Sequence, residues 1–460
     1  MHRHALRPTA PYSQFRNPQS AFRVFFLVSG LMFQKDFGII RAEIPQWVPR
    51  RFSYLAKLWP LGARCWGILT WSADQLSRFT VMRIFVPKEA DPSETRVPVS
   101  PLTAGKVVKL GADCETERGL GLSVGWTDDE YAAAGAKPSS DRLQSLGSAD
   151  LVLRLRKPPL EEIEHLKSGS IHVSLLDPFN EKKLVHQLAA AGVTAVSMEM
   201  IPRVAIAQKM DALSSQANLG GYVAVILAAA ASKRILPMMT TAAGTIKPLR
   251  MFVIGVGVAG LQAIATGRRL GAWVEAFDTR PVVEEQVKSL GAKFVKIDLG
   301  ETGETAGGYA KPLTPEQLQE QREVMAEHVA LADIVITAAQ VFGRKAPVVV
   351  TAEMIKRMRP GSVIVDTAVD TGGNVECPHS DPETELNGVK ILRYANLPGR
   401  VAANASEMYS NNLGAFIEHF WDKERKALPL DLNHELLKAC VITHAGEICN
   451  ETIKKAYNQT

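Results

Sequence analysis

From Met82 onward, apolar residues fall into short compact runs separated by amphipathic stretches. Residues 82–86, 151–155 and 170–175 have the length and β-branched character of buried strands, whereas 102–111 and 181–191 repeat apolar positions with the helical period. The alternation resumes downstream. Strands are predicted near 251–254, 273–277, 293–297, 333–337, 362–365 and 390–394, and helices near 261–270, 281–290, 314–331 and 407–421. Strand runs that are apolar throughout, rather than at every second residue, signal parallel strands covered on both faces. The order predicts an α/β chain of two doubly wound, Rossmann-like domains with a cleft between them. Residues 82–215 read as the first domain, completed by about 399–460, and 216–398 as the second. Between them, the polar-rich stretch 199–218 leads into a helix predicted over 218–233. Its apolar run, 222–231, is too short to span a bilayer.

Residues 1–81 break this pattern. They hold 11 Lys and Arg against 3 Asp and Glu, and four of the seven tryptophans, with no clear period. The rest of the chain holds 42 basic against 45 acidic residues, so the overall charge of +5 hides a mildly acidic body. That balance excludes the basic footprint of a nucleic-acid-binding domain. Three readings of 1–81 stay open: sequence upstream of a true start at Met82, an Arg-rich and acid-poor targeting segment, or an accessory membrane-surface segment. We expect it outside the folded core. The five cysteines form no CxxC pair and lie near no ligand-spaced histidines, which fits a reducing compartment and argues against a structural metal.

One stretch carries specific chemistry. The apolar run 251–254 enters Gly255-Val256-Gly257-Val258-Ala259-Gly260 and then a predicted helix. Gly255 allows the tight turn, Gly257 a close backbone approach to a pyrophosphate, and Gly260 close helix–strand packing, with the helix N-terminus facing the phosphates. The next strand ends at Asp278, about 18 residues past the last glycine, where a carboxylate meets the adenosine ribose hydroxyls. A carboxylate there repels a 2′-phosphate and favours NAD(H), although Arg280 two residues on blunts the preference.

The motifs from Met82 to the end resemble the NAD(H)-binding component (domain I, alpha subunit) of proton-translocating NAD(P) transhydrogenase. The resemblance rests on Pro202, Arg203, Gln208, Asp211, Ser214 and Gln216, on Thr241-Ala-Ala-Gly244, on Gly255-Val-Gly-Val-Ala-Gly-Leu-Gln-Ala263, and on Glu304-Thr-Ala-Gly-Gly-Tyr-Ala-Lys311. The resemblance implies that Arg203, Gln208 and Asp211 act at the reacting end, and that with Ser214 they hold the nicotinamide and its ribose. It assigns Asp278, Thr279 and Arg280 to the adenosine end, Ala338 and Gln340 to the cofactor wall, and Gly308 and Tyr309 to a loop that closes on bound NAD(H). It further implies a homodimer, NADP(H)-binding and membrane subunits as partners, no membrane span in this chain, and a cytoplasmic place at the inner membrane. The chain departs from the family pattern at Ile206, usually Arg, and at Thr337-Ala-Ala-Gln340, usually Thr-Thr-Ala-Leu.

Direct transfer of hydride between two nicotinamides requires aligned rings and excluded water, not a proton donor. An alanine-type dehydrogenase is the main alternative, because Arg96 and Lys157 resemble its carboxylate-binding residues. That enzyme needs a general acid/base, and where its His is expected this chain reads Ser174-Leu-Leu-Asp177. His172 nearby reads as a core residue. A non-enzymatic NAD(H) sensor is a third reading.

Overall fold

The structure is a computed structural model that describes residues 81–297, 314–378 and 381–458. Residues 1–80, and Gly308 and Tyr309, lie outside the described residues.

Strands β1 (Arg83–Val86), β2 (Asp113–Glu117), β3 (Lys137–Ser139), β4 (Leu151–Leu153), β5 (Ile171–Ser174) and β6 (Thr194–Ser197) alternate with helices. A small hairpin, β7 (Met239–Thr241) and β8 (Gly244–Ile246), precedes β9 (Arg250–Ile254), β10 (Trp273–Phe277), β11 (Lys293–Phe294), β12 (Ile334–Thr337), β13 (Val363–Asp366), β14 (Glu383–Leu386) and β15 (Val389–Leu392). The chain ends with β16 (Val441–His444), β17 (Glu447–Ile448) and a short helix. Two large sheets result. The first has the order β17-β16-β6-β5-β4-β1-β2-β3, the second β11-β10-β9-β12-β13-β15-β14. Pairing is parallel throughout both except at β6–β16–β17 and β14–β15. The fold is therefore two doubly wound α/β sheets, as the sequence pattern predicts.

β9 explains why the second sheet reads as continuous apolar sequence. Met251 and Val253 pack into one core with residues of the helices that precede and follow the strand, while Phe252 and Ile254 pack into another with Met325 and Val329. Each fully buried side chain of this size contributes roughly 1.5–3 kcal/mol.

Helices pack against the cores of both sheets. Helix α1 (Pro101–Lys109) starts where Ser100 Oγ accepts from the Thr103 amide, with Pro101 in the first turn, where its missing N–H costs nothing. Helix α2 (Ala212–Ala231) begins six residues earlier than the sequence suggests, because Asp211 caps it through the Ser214 amide and draws polar residues into its first turns. By length and composition α2 is apolar enough to cross a bilayer. In this fold its Ala224, Val225 and Ala228 are fully buried in the second domain's core. Helix α3 (Val258–Arg269) follows β9, and α4 (Pro315–Leu331) precedes β12. Helix α5 (Ala402–Phe420) sends Tyr409, Leu413 and Phe416 into the core of the first sheet.

Several strands escape the sequence pattern. β14 is polar and half-exposed at a sheet edge, and the β16–β17 hairpin is too short to show a period. The β7–β8 hairpin is exposed along its length, so it carries no core face to read.

Candidate functional site

Between the two sheets lies a cavity of about 1510 Å³, larger than the roughly 300–1,000 Å³ of ordinary small-ligand pockets. The β9–α3 turn forms part of its wall. Gly255 has φ +92°, and a Cβ there would lie 2.6 Å from the Ala338 carbonyl oxygen of the turn after β12. A Cβ on Gly260 would lie 1.9 Å from the Gly255 carbonyl oxygen, so only hydrogen permits this approach of helix to strand. At Gly257 the same construction meets nothing within 4 Å. Gly257 is also the N-cap of α3, without a side-chain cap. The first amides of α3 thus face open space, the arrangement that binds phosphate groups at helix N-termini.

At the end of β10 the Asp278 carboxylate accepts from the Val256 amide at 2.7 Å. It also accepts from the Arg280 amide and from Arg280 Nε and Nη2, each at 2.9 Å. Arg280 Nη2 additionally donates to the Val256 carbonyl at 3.1 Å. Thr279 lies on the same wall. So does Gln321 of α4, whose side-chain oxygen is shielded from solvent and has no hydrogen-bond partner. A buried amide oxygen without a partner is costly, and an amino group such as that of an adenine satisfies it. The open Gly257 cradle, the carboxylate of Asp278 and this orphaned oxygen together fit a dinucleotide.

The opposite wall belongs to the first domain. Arg96 is 5 % exposed. Its Nε and Nη2 donate to the two oxygens of Glu94 at 2.8 and 2.7 Å, and its Nη1 to Gln216 Oε1 at 2.8 Å. Arg156 Nε donates to Glu94 Oε2 at 2.7 Å. Burial raises Glu94, but the guanidiniums of Arg96 and Arg156 outweigh it and hold the carboxyl down at about 2. Lys157 is paired with Glu181. Glu89 accepts from the Leu155 and Arg156 amides at 2.7 and 3.2 Å, yet burial pushes it up to about 7. His172 is fully buried on β5, where desolvation pushes it down to about 3, and it is not on the cavity wall. Among the described residues the wall holds no histidine.

Of the residues singled out from sequence, the cavity brings together Arg203, Gly255, Gly257, Val258, Asp278, Thr279, Arg280, Ala338 and Gln340. Val256 and Gly260 lie behind that surface. Gln340 Nε2 donates to the Thr367 carbonyl at 3.3 Å. Gln208, Asp211 and Ser214 are off the wall. Gln208 is exposed on a short 3₁₀ turn, Ala205–Met210, beside exposed Ile206. Arg203 Nε lies 3.9 Å from Asp211 Oδ2, and Ser214 Oγ donates to the same oxygen at 2.5 Å. Sequence reasoning missed Glu94 and Gln321, and took Gln216 as part of the family motif without a role at the site. Glu94 gave no signal, since its partners are set by the fold.

Two family models match the chain: the alanine dehydrogenase/PNT N-terminal domain over residues 85–220 and the alanine dehydrogenase/PNT C-terminal domain over residues 224–451. The chain is 43 % identical over 381 residues to an NAD(P) transhydrogenase subunit alpha protein of Rhodospirillum rubrum, covering 81 % of this chain and 99 % of that protein. The solved structure of transhydrogenase from Sinorhizobium meliloti superposes with a TM-score of 0.72 at 44 % identity, over 80 % of this chain and 99 % of that one. L-alanine dehydrogenase superposes with a TM-score of 0.69 at 24 % identity, over 82 % and 99 % of the two chains, a likeness of fold. On this identity and coverage the chain belongs to the alanine dehydrogenase/PNT family and, within it, to the NAD(P) transhydrogenase alpha subunits.

Proposed function

We propose that this chain is the NAD(H)-binding component of an NAD(P) transhydrogenase, and that hydride passes directly between NAD(H) in its cleft and NADP(H) held on a partner subunit. The observation that carries the cofactor is the uncapped N-terminus of α3 at Gly257, open to the cleft beside Asp278. When bound, NAD(H) supplies a nicotinamide that gives or accepts hydride.

The chain's own groups bind and orient. The Gly255–Val258 backbone receives the pyrophosphate while Gly260 keeps α3 close behind it. Asp278 holds the adenosine ribose, with Thr279 beside it and Arg280 orienting its carboxylate. Ala338 and Gln340 wall the cofactor on the β12 side. Arg203, Gln208, Asp211 and Ser214 orient the nicotinamide and its ribose at the rim where the partner nucleotide arrives. Asp211 also serves as helix cap and partner of Arg203 and Ser214, so it is aimed by the start of α2 rather than left to a loose loop. Gly308 and Tyr309 close over the cofactor. The chain works as a homodimer on the cytoplasmic side of the inner membrane, held there by its NADP(H)-binding and membrane subunits. Proton translocation is then a property of the whole complex.

The alanine-type dehydrogenase is the second reading. Against it stand the guanidinium of Arg96, committed to Glu94 and Gln216, and the ammonium of Lys157, committed to Glu181. In its favour is Glu89, a cleft carboxyl poised near neutrality. One experiment separates the two. The full chain is assayed for hydride transfer from NADH to an NADP-site partner domain, and separately with NADH, pyruvate and ammonium. Transfer that requires the partner supports the transhydrogenase; pyruvate reduction without it means that Arg96 and Lys157 exchange their acids for substrate.

A further inference from the structure

The two walls of the cleft touch through a pair of aromatic rings. Phe179, from the turn after β5, and Phe342, from the turn after β12, meet edge-to-face with centroids 5.4 Å apart and planes at 83°. Both rings line the cavity. Each turn is anchored to its own domain. Before Phe179, Asp177 adopts φ +52° and its amide donates to Glu199 Oε1 at 2.5 Å. Asn180 donates to Asp177 Oδ1 at 2.8 Å, and Tyr457 donates to the Pro178 carbonyl at 2.5 Å. On the other side, Asn374 accepts from the Ala339 amide at 3.0 Å and donates to the Ala339 and Pro347 carbonyls, each at 2.7 Å. The next residue after Phe342, Gly343, has φ +69°, and a Cβ there would lie 2.8 Å from the Phe179 ring. The second turn thus receives the ring of the first on a surface that only glycine leaves clear.

We propose that Phe179 and Phe342 are a positioning pair that sets the separation of the two cleft walls, and so the rate at which a nucleotide enters and leaves. The proposal rests on the reading that NAD(H) binds in this cleft. Neither ring offers a hydrogen bond or a charge to a dinucleotide. Their mutual contact is worth having only while the domains keep this spacing, because each turn is tied by hydrogen bonds within its own domain and the rings gain their attraction at one separation. Relative motion of two domains is otherwise the expectation for a cleft of this kind. With the pair broken the walls spend more time apart.

The test uses the full chain and stopped-flow NADH fluorescence, with association measured directly and release measured by displacement with excess NAD+. Phe179→Ala and Phe342→Ala are each expected to raise both rate constants, by about two- to tenfold, so that Kd moves less than either. The double variant is expected to gain less than the product of the singles, since either truncation removes the shared contact. Gly343→Ala, which pushes the rings apart, is expected to act in the same direction and to add nothing to Phe179→Ala. Faster release with unchanged association means that the rings are ordinary binding contacts and overturns the proposal. So do unchanged rates in folded variants, or single effects that multiply. If the alanine variants fail to fold, Phe179→Leu and Phe342→Leu keep the apolar bulk, lose the edge-to-face geometry and are read by the same criteria. If the wild-type chain binds no NADH, the cofactor reading fails separately. Amide exchange then decides, at residues 217–220 and 254–258, which border the cleft away from the rings. Faster exchange there in Phe342→Ala supports the positioning role and unchanged exchange overturns it.

Discussion

The Arg280 guanidinium grips the Asp278 carboxylate through both of its oxygens, at 2.9 Å each. With the Val256 and Arg280 amides also donating to it, the carboxylate accepts four hydrogen bonds, about all that its lone pairs accommodate. A ribose hydroxyl therefore binds by exchange for an Arg280 bond, not by filling a vacancy. Asp278→Ala removes the ribose acceptor and is expected to weaken NADH binding about 10–100-fold, the worth of a hydrogen bond to a charged group. Arg280→Ala frees lone pairs for the ribose, and its effect is expected to be less than about threefold. Titration calorimetry on both variants checks this; an equal loss in the two would mean that Arg280 itself holds the nucleotide.

Gly260→Ala tests the packing of α3 on β9. The added methyl lies 1.9 Å from a backbone oxygen that has no free rotamer to yield, so the helix must shift. We expect about 1–3 kcal/mol of destabilisation, seen in denaturant melts, together with loss of NADH binding. A variant that melts and binds like the parent would show that α3 moves without cost.

Gln208 is exposed and off the cavity wall, so its contribution falls at the reacting end rather than in affinity. Gln208→Asn is expected to slow hydride transfer to the partner by an order of magnitude or more while leaving NADH binding nearly intact. Lost binding with an unchanged single-turnover rate would reverse the assignment.

Glu89 gives a pH dependence of known sign. Burial raises its folded pKa from 4.5 to about 7, so the folded state holds a proton that the unfolded chain has lost. The associated stability is fully present below pH 4.5 and disappears as pH rises towards 7, a difference of about 3 kcal/mol. Denaturant melts at pH 5 and 8 compare the parent with Glu89→Gln, which keeps the neutral form throughout. The variant should lose less stability over this interval, and identical slopes would place the proton elsewhere.

The sequence by itself determined the parts whose physics is local. Gly255, Gly257 and Gly260 announce a strand–turn–helix because their spacing suits one backbone path, and the apolar run before them announces a parallel strand because both of its faces are covered. Asp278 follows from the length of one helix and one strand. Family membership was legible for the same reason, since its motifs are short and contiguous. The tertiary structure decided what depends on residues far apart in the chain. Gln216 closes the hydrogen bonds of Arg96 across 120 residues, and Phe179 meets Phe342 across the cleft; neither pairing leaves a period or a spacing to read. Competition was equally invisible. Asp278 and Arg280 read as two recognition groups in sequence, and only the folded backbone, which brings the Val256 amide and the guanidinium to one carboxylate, makes them each other's partner first.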